Sequence, residues 1–545
     1  MTKRWMTAIA ATLLSASMLA ACTGGGGGGA EEGDGEGAVE TAEGRIAFNA
    51  FAPQLVRIEN MDTNWFTNYV EEKLDIDIQW VLAPSEGANE RKQLLLASGD
   101  YPEVFIHGDL TKEEQLKYGQ QGVLLPLNDL IEQHGPNIKK TMELIPEYKS
   151  EVTAPDGNIY ALPQVNECYH CMYSQKMWIN NKWLEAVGLP MPTTTEEFYQ
   201  VLKAFKEKDP NGNGAADEIP LSGFQNSWHG NVDGFLMNAF IYNNSEDYFI
   251  LENGKVDLAA NKEKWREGLR YMNRLFSEGL IDPAAFTQDE DALKQIANNA
   301  DVPILGAYAA GHVAMGVQLA EGNNHADYHI VPPLKGPDGT QLAAYYPSIG
   351  RGQFAITNKA TEAQQIAAIK LADLMATEEA TMYSVFGPEG DYWRKAEPGE
   401  LDFHGNPAKY TNVKEFSTVT TWNVSWDQLG PSVRTSEFRE SFATPEDPFT
   451  IEGYELRLFQ ATQLYEPHRP KEVFPLNIFM DPADAQESNR LRTTINDYIK
   501  ENMALFVTGN KSLDADWDAY VQGLNDLGLE QYLAIYQKAY DALQQ

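Results

Sequence analysis

The chain has 545 residues, 43% of them hydrophobic and 11% aromatic, enough apolar material for more than one folded body. Its 79 acidic residues against 42 basic ones leave a net charge of −37. That balance argues against nucleic acid as a partner, because such binding needs a basic footprint, and it describes a soluble acidic surface.

The amino terminus opens with Lys3 and Arg4, then an uncharged run of apolar and small residues from 7 to 18. This is the profile of an export signal. The run is shorter than the roughly 20 apolar residues a permanent membrane span needs, so it is expected to direct export and be removed. Leu19-Ala20-Ala21-Cys22 resembles a lipobox, in which the cysteine sulfur receives a diacylglycerol and becomes the first residue. The resemblance implies a signal peptide at 1–21 and a lipid anchor at Cys22 on the outer face of the cytoplasmic membrane. The alternative is an ordinary signal peptide with a chance cysteine. Residues 22–44 then read as a tether: Gly24 to Gly29 is unbroken glycine, and Glu31, Glu32, Asp34, Glu36, Glu40 and Glu43 repel one another with little that could form a core.

From residue 45 the pattern is globular. Residues 45–51 predict a buried strand, 65–74 a helix with Phe66, Tyr69, Val70 and Leu74 on one face, 76–82 a second strand, 89–97 a helix and 104–106 a third strand. This βαβα order predicts a mostly parallel sheet with helices on its faces. After the turn at Pro155-Asp156-Gly157, residues 159–163 read as a short strand leaving the first body. Cys168 and Cys171 are expected to form a small-loop disulfide or to remain two buried thiols, with metal or redox chemistry the less favoured reading. Thr194 and Glu197 offer a reciprocal capping box to a helix whose Phe198, Val201, Leu202 and Phe205 share one face. Later helices are predicted at 264–276, 362–376, 486–507, 513–527 and 529–542.

Directly after the capped helix, Asp209-Pro210-Asn211-Gly212-Asn213-Gly214-Ala215-Ala216-Asp217-Glu218 has the ligand order of a calcium loop. Oxygen side chains stand at positions 1, 3 and 5, a glycine at 6, a carbonyl at 7 and an acid at 9. Position 12 is Pro220, so Glu218 at position 10 has to close the shell. The expected ligands of a structural Ca2+ are Asp209, Asn211, Asn213, the Ala215 carbonyl, Asp217 and Glu218. The competing reading is an acidic Asn-Gly turn with no ion.

Several segments, in order, resemble family 1 extracellular solute-binding proteins of bacterial carbohydrate importers, especially their long lipoprotein branch. They are Leu95-Leu96-Ala97-Ser98-Gly99-Asp100-Tyr101-Pro102, Asp156-Gly157-Asn158-Ile159-Tyr160-Ala161-Leu162-Pro163, residues 178–192, the loop 209–220, Phe386-Gly387-Pro388-Glu389-Gly390 and Asp516-Trp517-Asp518-Ala519-Tyr520. The resemblance implies an α/β fold of two lobes, each a mostly parallel sheet flanked by helices, joined by a hinge and closing on a ligand. The first lobe is expected at 45–165 plus roughly 345–430, and the second at 166–344 plus roughly 431–545. It also implies an ABC importer's membrane subunits as partners, a monomer, and a calcium loop like that of relatives that bind alginate oligosaccharides.

A sugar offers apolar C–H faces and a rim of hydroxyls, so a site needs aromatic platforms with amide, carboxylate and guanidinium partners. Asp62, Asn64 and Trp65 follow the first strand, where α/β sheets place ligands. Trp228, His229, Trp393, Arg394, Trp422 and Trp426 stand in expected loops among polar residues, and Tyr308, Tyr346 and Arg351 near a strand end and a crossover. Trp183, Trp265 and Trp517 fall on helical faces and are assigned to packing. The expected function is therefore capture of an oligosaccharide without catalysis. Alternatives are a surface polysaccharide-degrading enzyme, or a peptide-binding or sensor-partner lipoprotein; no Gly-x-Ser-x-Gly, His-Glu-x-x-His or phosphate loop supports catalysis.

Overall fold

The structure, a computed structural model, describes residues 44–298, 302–414, 421–475 and 477–544. The expected export signal, Cys22 and all of the tether but Gly44 lie outside these residues. Among the described residues no helix is long and apolar enough to cross a membrane.

The βαβα reading is realised in the first sheet. Strand β1 (Ile46–Gln54) pairs in parallel with β2 (Ile76–Pro84) in the register Ile46↔Ile76 to Gln54↔Pro84, and with β3 (Val104–Phe105) on its other side. Ala50, Phe51 and Ala52 are all buried, because helices cover both faces of this central strand. The helix Trp65–Leu74 supplies one cover, with Phe66 and Val70 inward. The helix Ala88–Ser98 supplies the other, through Leu95 and Leu96.

Strand β4 runs Leu162–Asn166, three residues later than expected. Ile159 is used instead to bridge Thr153 across the turn, so the strand begins only after it. The six-stranded sheet has the order β14-β4-β11-β3-β1-β2, where β11 is Ile349–Ile356 and β14 is Val433–Arg434. Three of its pairings are parallel, and β11 is antiparallel to both neighbours.

A second sheet combines β5 (Met177–Asn180), β6 (Ile219–Ser222), β9 (Leu305–Ala309) and β10 (Tyr328–Val331) in the order β10-β5-β9-β6, while β7 (Phe249–Glu252) with β8 (Lys255–Leu258) and β12 (Trp393–Lys395) with β13 (Tyr410–Asn412) form separate two-stranded ribbons. Here only β6 and β9 are parallel. The expectation of a mostly parallel second sheet is corrected to a mixed one: β5 comes straight from the first sheet and runs against both of its neighbours.

The capping box forms as expected, with Thr194 accepting from Glu197 N and Glu197 from Thr194 N. The helix Thr195–Glu207 then buries Phe198, Val201, Leu202 and Phe205. Such side chains each contribute about 1.5–3 kcal/mol on full burial. Trp183, Trp265 and Trp517 join the same apolar core. The long helix Pro482–Val507 packs against Glu263–Ser277 and Leu529–Leu543.

The chain passes between the two sheets three times: from Asn166 to Met177, from Val331 to Ile349, and from Arg434 to the helix Tyr454–Gln463, which packs with the second sheet. The first sheet thus takes Val433–Arg434, slightly beyond the expected edge near 430.

Candidate ligand cleft at the crossovers

The first crossover is folded tightly. After β4 the chain forms a single helical turn, Tyr169–Met172, whose N-cap is Cys168. A Cys168–Cys171 disulfide closes that turn, so the expected small-loop bridge is present. These two sulfurs lie near His170, but a disulfide has no thiolate to offer a metal. Behind the turn the fully buried Lys176 donates to the His170 carbonyl at 2.9 Å and to the Tyr173 carbonyl. Burial pushes its ammonium down to about 7. Disulfide and ammonium together hold His170 and Cys171 at the cleft wall.

Two adjoining cavities open there, of about 1170 and 900 Å³. Both are lined by Asn166, Cys171 and Trp228, which therefore form the partition between them. The Trp228 ring is ringed by imidazoles, with centroids 6.0 Å to His170, 5.7 Å to His312 and 5.2 Å to His229. Burial pushes His229 down to about 3, His312 to about 4 and His170 well below the usual range. These rings stay neutral, presenting aromatic faces and hydrogen-bonding nitrogens without charge.

The smaller cavity is rich in amides. Gln175, carried by the first crossover, bonds His229 Nδ1 at 2.9 Å and donates to the Tyr346 hydroxyl at 3.1 Å. Tyr346 in turn donates to the Asn244 carbonyl at 2.5 Å. Gly234 makes room for this network: a Cβ there would stand 1.9 Å from Gln175 Oε1.

The larger cavity carries guanidinium groups at the ends of β4 and β14. Arg434 donates to Gln164 Oε1 and Gln428 Oε1 at 2.9 Å each, and Arg439 donates to Asn166 Oδ1 at 2.9 Å. On the same wall Lys294 pairs with Glu290 at 2.6 Å, and the Tyr169 hydroxyl donates to Glu455.

Of the residues proposed from sequence, Trp228, His229 and Tyr346 line the cavities. Arg351 is placed on β11 beside Gly350 and Gln353 of the smaller cavity and pairs with Asp109 at 3.1 Å. The others are placed elsewhere. Asn64 is the N-cap of Trp65–Leu74 and donates to the Ser425 carbonyl. Trp65 stacks on Tyr69 and meets Tyr383 edge-on, and Asp62 is exposed before that helix.

Tyr308 is fully buried and donates to the Val313 carbonyl. Trp393 donates to the Gly387 carbonyl inside a small aromatic cluster, while Arg394 makes a two-pronged pair with Glu400. Trp422 and Trp426 belong to the first sheet's core, Trp426 donating to Thr67. For Tyr308, Trp393 and Trp426 the physical reason is burial with the polar atom bonded inside the protein, which local sequence context does not report; Arg394, partly exposed, is taken up by Glu400. Gln164, Asn166, Gln175, His170, His312, Arg434 and Arg439 were not anticipated. The readable signal was the run of amides at the end of β4, where a crossover begins.

In the loop 209–218, Asp209 takes a left-handed backbone (φ 48°) and accepts from Asn213 N at 3.1 Å and Gly214 N at 3.0 Å. Asn211 and Asn213 oxygens accept from the amides of Asn213 and Ala215, and Asp217 accepts from both asparagine side chains. Glu218 Oε1 is buried without a partner, and burial together with the Asp209 and Asp217 charges raises its carboxyl. A hard-oxygen donor set with an orphaned carboxylate oxygen fits a divalent cation of calcium type.

Two α/β halves, three crossovers and a large polar and aromatic cleft at the crossings define a two-lobed binding protein. The chain belongs to the bacterial extracellular solute-binding proteins, whose family model matches residues 49–382. It is 30% identical over 486 residues to the fructooligosaccharide ABC transporter substrate-binding protein FusA of Streptococcus pneumoniae serotype 4, covering 87% of this chain and 86% of that one. Solved structures of FusA, one with kestose and one an EF-hand mutant with fructo-nystose, superpose with TM-scores of 0.75 and 0.74 at 27% identity over 91% of this chain and 99% of theirs. An extracellular solute-binding protein of Bifidobacterium longum subsp. infantis gives a TM-score of 0.79 at 25% identity, covering 93% of this chain and all of that one. The family consists of solute-binding proteins.

Proposed function

We propose that the protein captures an oligosaccharide in the cleft at the crossovers and hands it to the membrane subunits of an ABC importer. The observation that carries this reading is the pair of cavities meeting at Trp228, with neutral imidazoles around the ring and amides beyond it. An aromatic face suits the C–H surface of a sugar ring, and amides suit its hydroxyls. Trp228, His229 and Tyr346 are the contacts proposed from sequence; Gln175, Asn166, His170, His312 and Arg434 are added to them. The two sheets with their helices are the moving lobes, with boundaries between 166 and 177, 331 and 349, and 434 and 454.

The reading includes a lipid anchor at Cys22, which keeps the monomeric binding protein near its transporter at high effective concentration. It also includes a structural Ca2+ held by Asp209, Asn211, Asn213, the Ala215 carbonyl, Asp217 and Glu218. The ion would neutralise the clustered carboxylates and staple the end of the helix Thr195–Glu207 to β6. A thermal-shift panel tests both parts, with kestose, galacto- and manno-oligosaccharides and uronic-acid oligomers, each with Ca2+ or with EDTA. A saccharide that raises Tm by several degrees and binds unchanged supports capture, while released reducing ends would support a surface enzyme instead. Equal Tm in Ca2+ and EDTA would refute the ion.

A further inference from the structure

In a chain of net charge −37, the larger cavity carries both signs, with Lys294 and three arginines set among Glu290, Glu400, Asp402, Glu446, Glu452 and Glu455. Arg57, Arg434 and Arg439 all line the larger cavity. Arg57 faces Asp427 at 3.8 Å. Arg434 and Arg439 instead rest on side-chain amides: Gln164 and Gln428 for the first, Asn166 for the second. Among the described residues neither guanidinium has a carboxylate within ion-pair distance, whereas Glu290, Glu400 and Glu455 on the same cavity's wall are already engaged by Lys294, Arg394 and Tyr169.

Arg434 is the more telling of the two. It is 3% exposed, and its Nε is buried with no partner. Burial and the neighbouring Arg439 charge, partly offset by Asp427, push its guanidinium down to about 9. A buried cation with a free donor beside a second cation is a costly arrangement, relieved when an anion enters. The planar fork of guanidinium donors matches a carboxylate better than a single hydroxyl. The position also suits a ligand, since Arg434 stands at the carboxyl end of β14, which runs parallel to β4.

We propose that Arg434 and Arg439 form a carboxylate subsite in the larger cavity, so that the captured oligosaccharide carries a uronic-acid residue there. This rests on the oligosaccharide reading above and narrows it. The amide-lined smaller cavity would hold the uncharged remainder of the chain, on the far side of Trp228.

The test is calorimetric titration with matched pairs differing only in the carboxylate: α-1,4-trigalacturonate against α-1,4-trigalactose, and β-1,4-trimannuronate against mannotriose, with kestose alongside. The expected result is that at least one acidic trisaccharide binds about tenfold or more tightly than its neutral counterpart, with affinity falling as NaCl rises from about 50 to 500 mM. R439Q, at a partly exposed position, should cost the acidic ligand about tenfold and leave any neutral binding unchanged. R434Q should also weaken the acidic ligand about tenfold or more, with its Tm measured in parallel to separate binding from folding. Neutral members that bind as tightly as the acidic ones, or acidic binding untouched by both substitutions, would overturn the carboxylate subsite and leave oligosaccharide capture standing. Absence of binding by every saccharide in the panel would overturn both.

Discussion

Gly234 beside the cleft and Asp247 in the interior illustrate how much turns on single residues. An alanine methyl at 234 would collide with the Gln175 amide, and Gln175, 4% exposed, can retreat only by leaving His229 and Tyr346. Gly234→Ala is therefore expected to weaken saccharide binding tenfold or so while lowering Tm only modestly, measured by titration and thermal shift together; a large Tm loss with intact affinity would refute this role. Asp247 is 7% exposed, accepts from Asn244 and Phe249 N, and is pushed by burial up to about 6. Its folded value lies above the unfolded one, so the fold is penalised above that range and the penalty fades as pH falls from about 6 toward 4. Asp247→Asn should accordingly be more stable than the parent by about 2 kcal/mol at pH 8, with the gap closing by pH 4, as read from urea midpoints. At this scale the sequence was legible only in part. Trp228 and Trp426 both stand among polar neighbours, yet one lines the cleft and the other fills a core, because Phe66 and Trp80 come from distant segments to cover Trp426. Arg434 carried no local mark at all, since what distinguishes it is a carboxylate that fails to arrive.

Elements were easier to read, because their causes are local. The helix Thr195–Glu207 starts where its capping box says it should, and its apolar face is the one that is buried. Thr194→Ala removes the acceptor of the Glu197 amide and should cost about 1 kcal/mol in denaturant melts; no measurable loss would mean that packing alone fixes the helix start. The loop after it followed a ligand pattern that spacing alone exposes. The shift of β4 to Leu162–Asn166 was not legible, because the choice between strand and bridge at Ile159 is settled by Thr153 across a turn.

At the scale of the molecule, composition and the βαβα opening pointed to α/β lobes, but the mixed second sheet was beyond reach: its strands come from four separated stretches whose directions are set by tertiary packing. The two halves also touch away from the crossovers. Asn489 on Pro482–Val507 donates to Glu113 on the helix Lys112–Gln120 at 2.6 Å, and the Lys112 ammonium stands 4.5 Å from the Phe479 ring centroid. Asn489→Asp would set two carboxylates against each other there. The expected effect is a two- to threefold loss of ligand affinity with unchanged Tm, alongside a larger radius of gyration by small-angle scattering, as for other exposed charge contacts; unchanged dimensions and affinity would remove this contact from the closing motion.

The order of strands in the first sheet also sets a timetable. Strand β11 lies between β3 and β4, and β14 lies outside β4, so β4 has no neighbour in the sheet until residue 356 has been synthesised, and the edge is complete only after residue 434. A nascent chain holding the first 200 residues can assemble the parallel trio β1, β2 and β3 but not a closed half. Pairing over such separations is slow, and domains that need late segments stay open during translation. For the export leader proposed at residues 1–21, that delay would be useful: it would keep the chain threadable until the segments that lock it have been made.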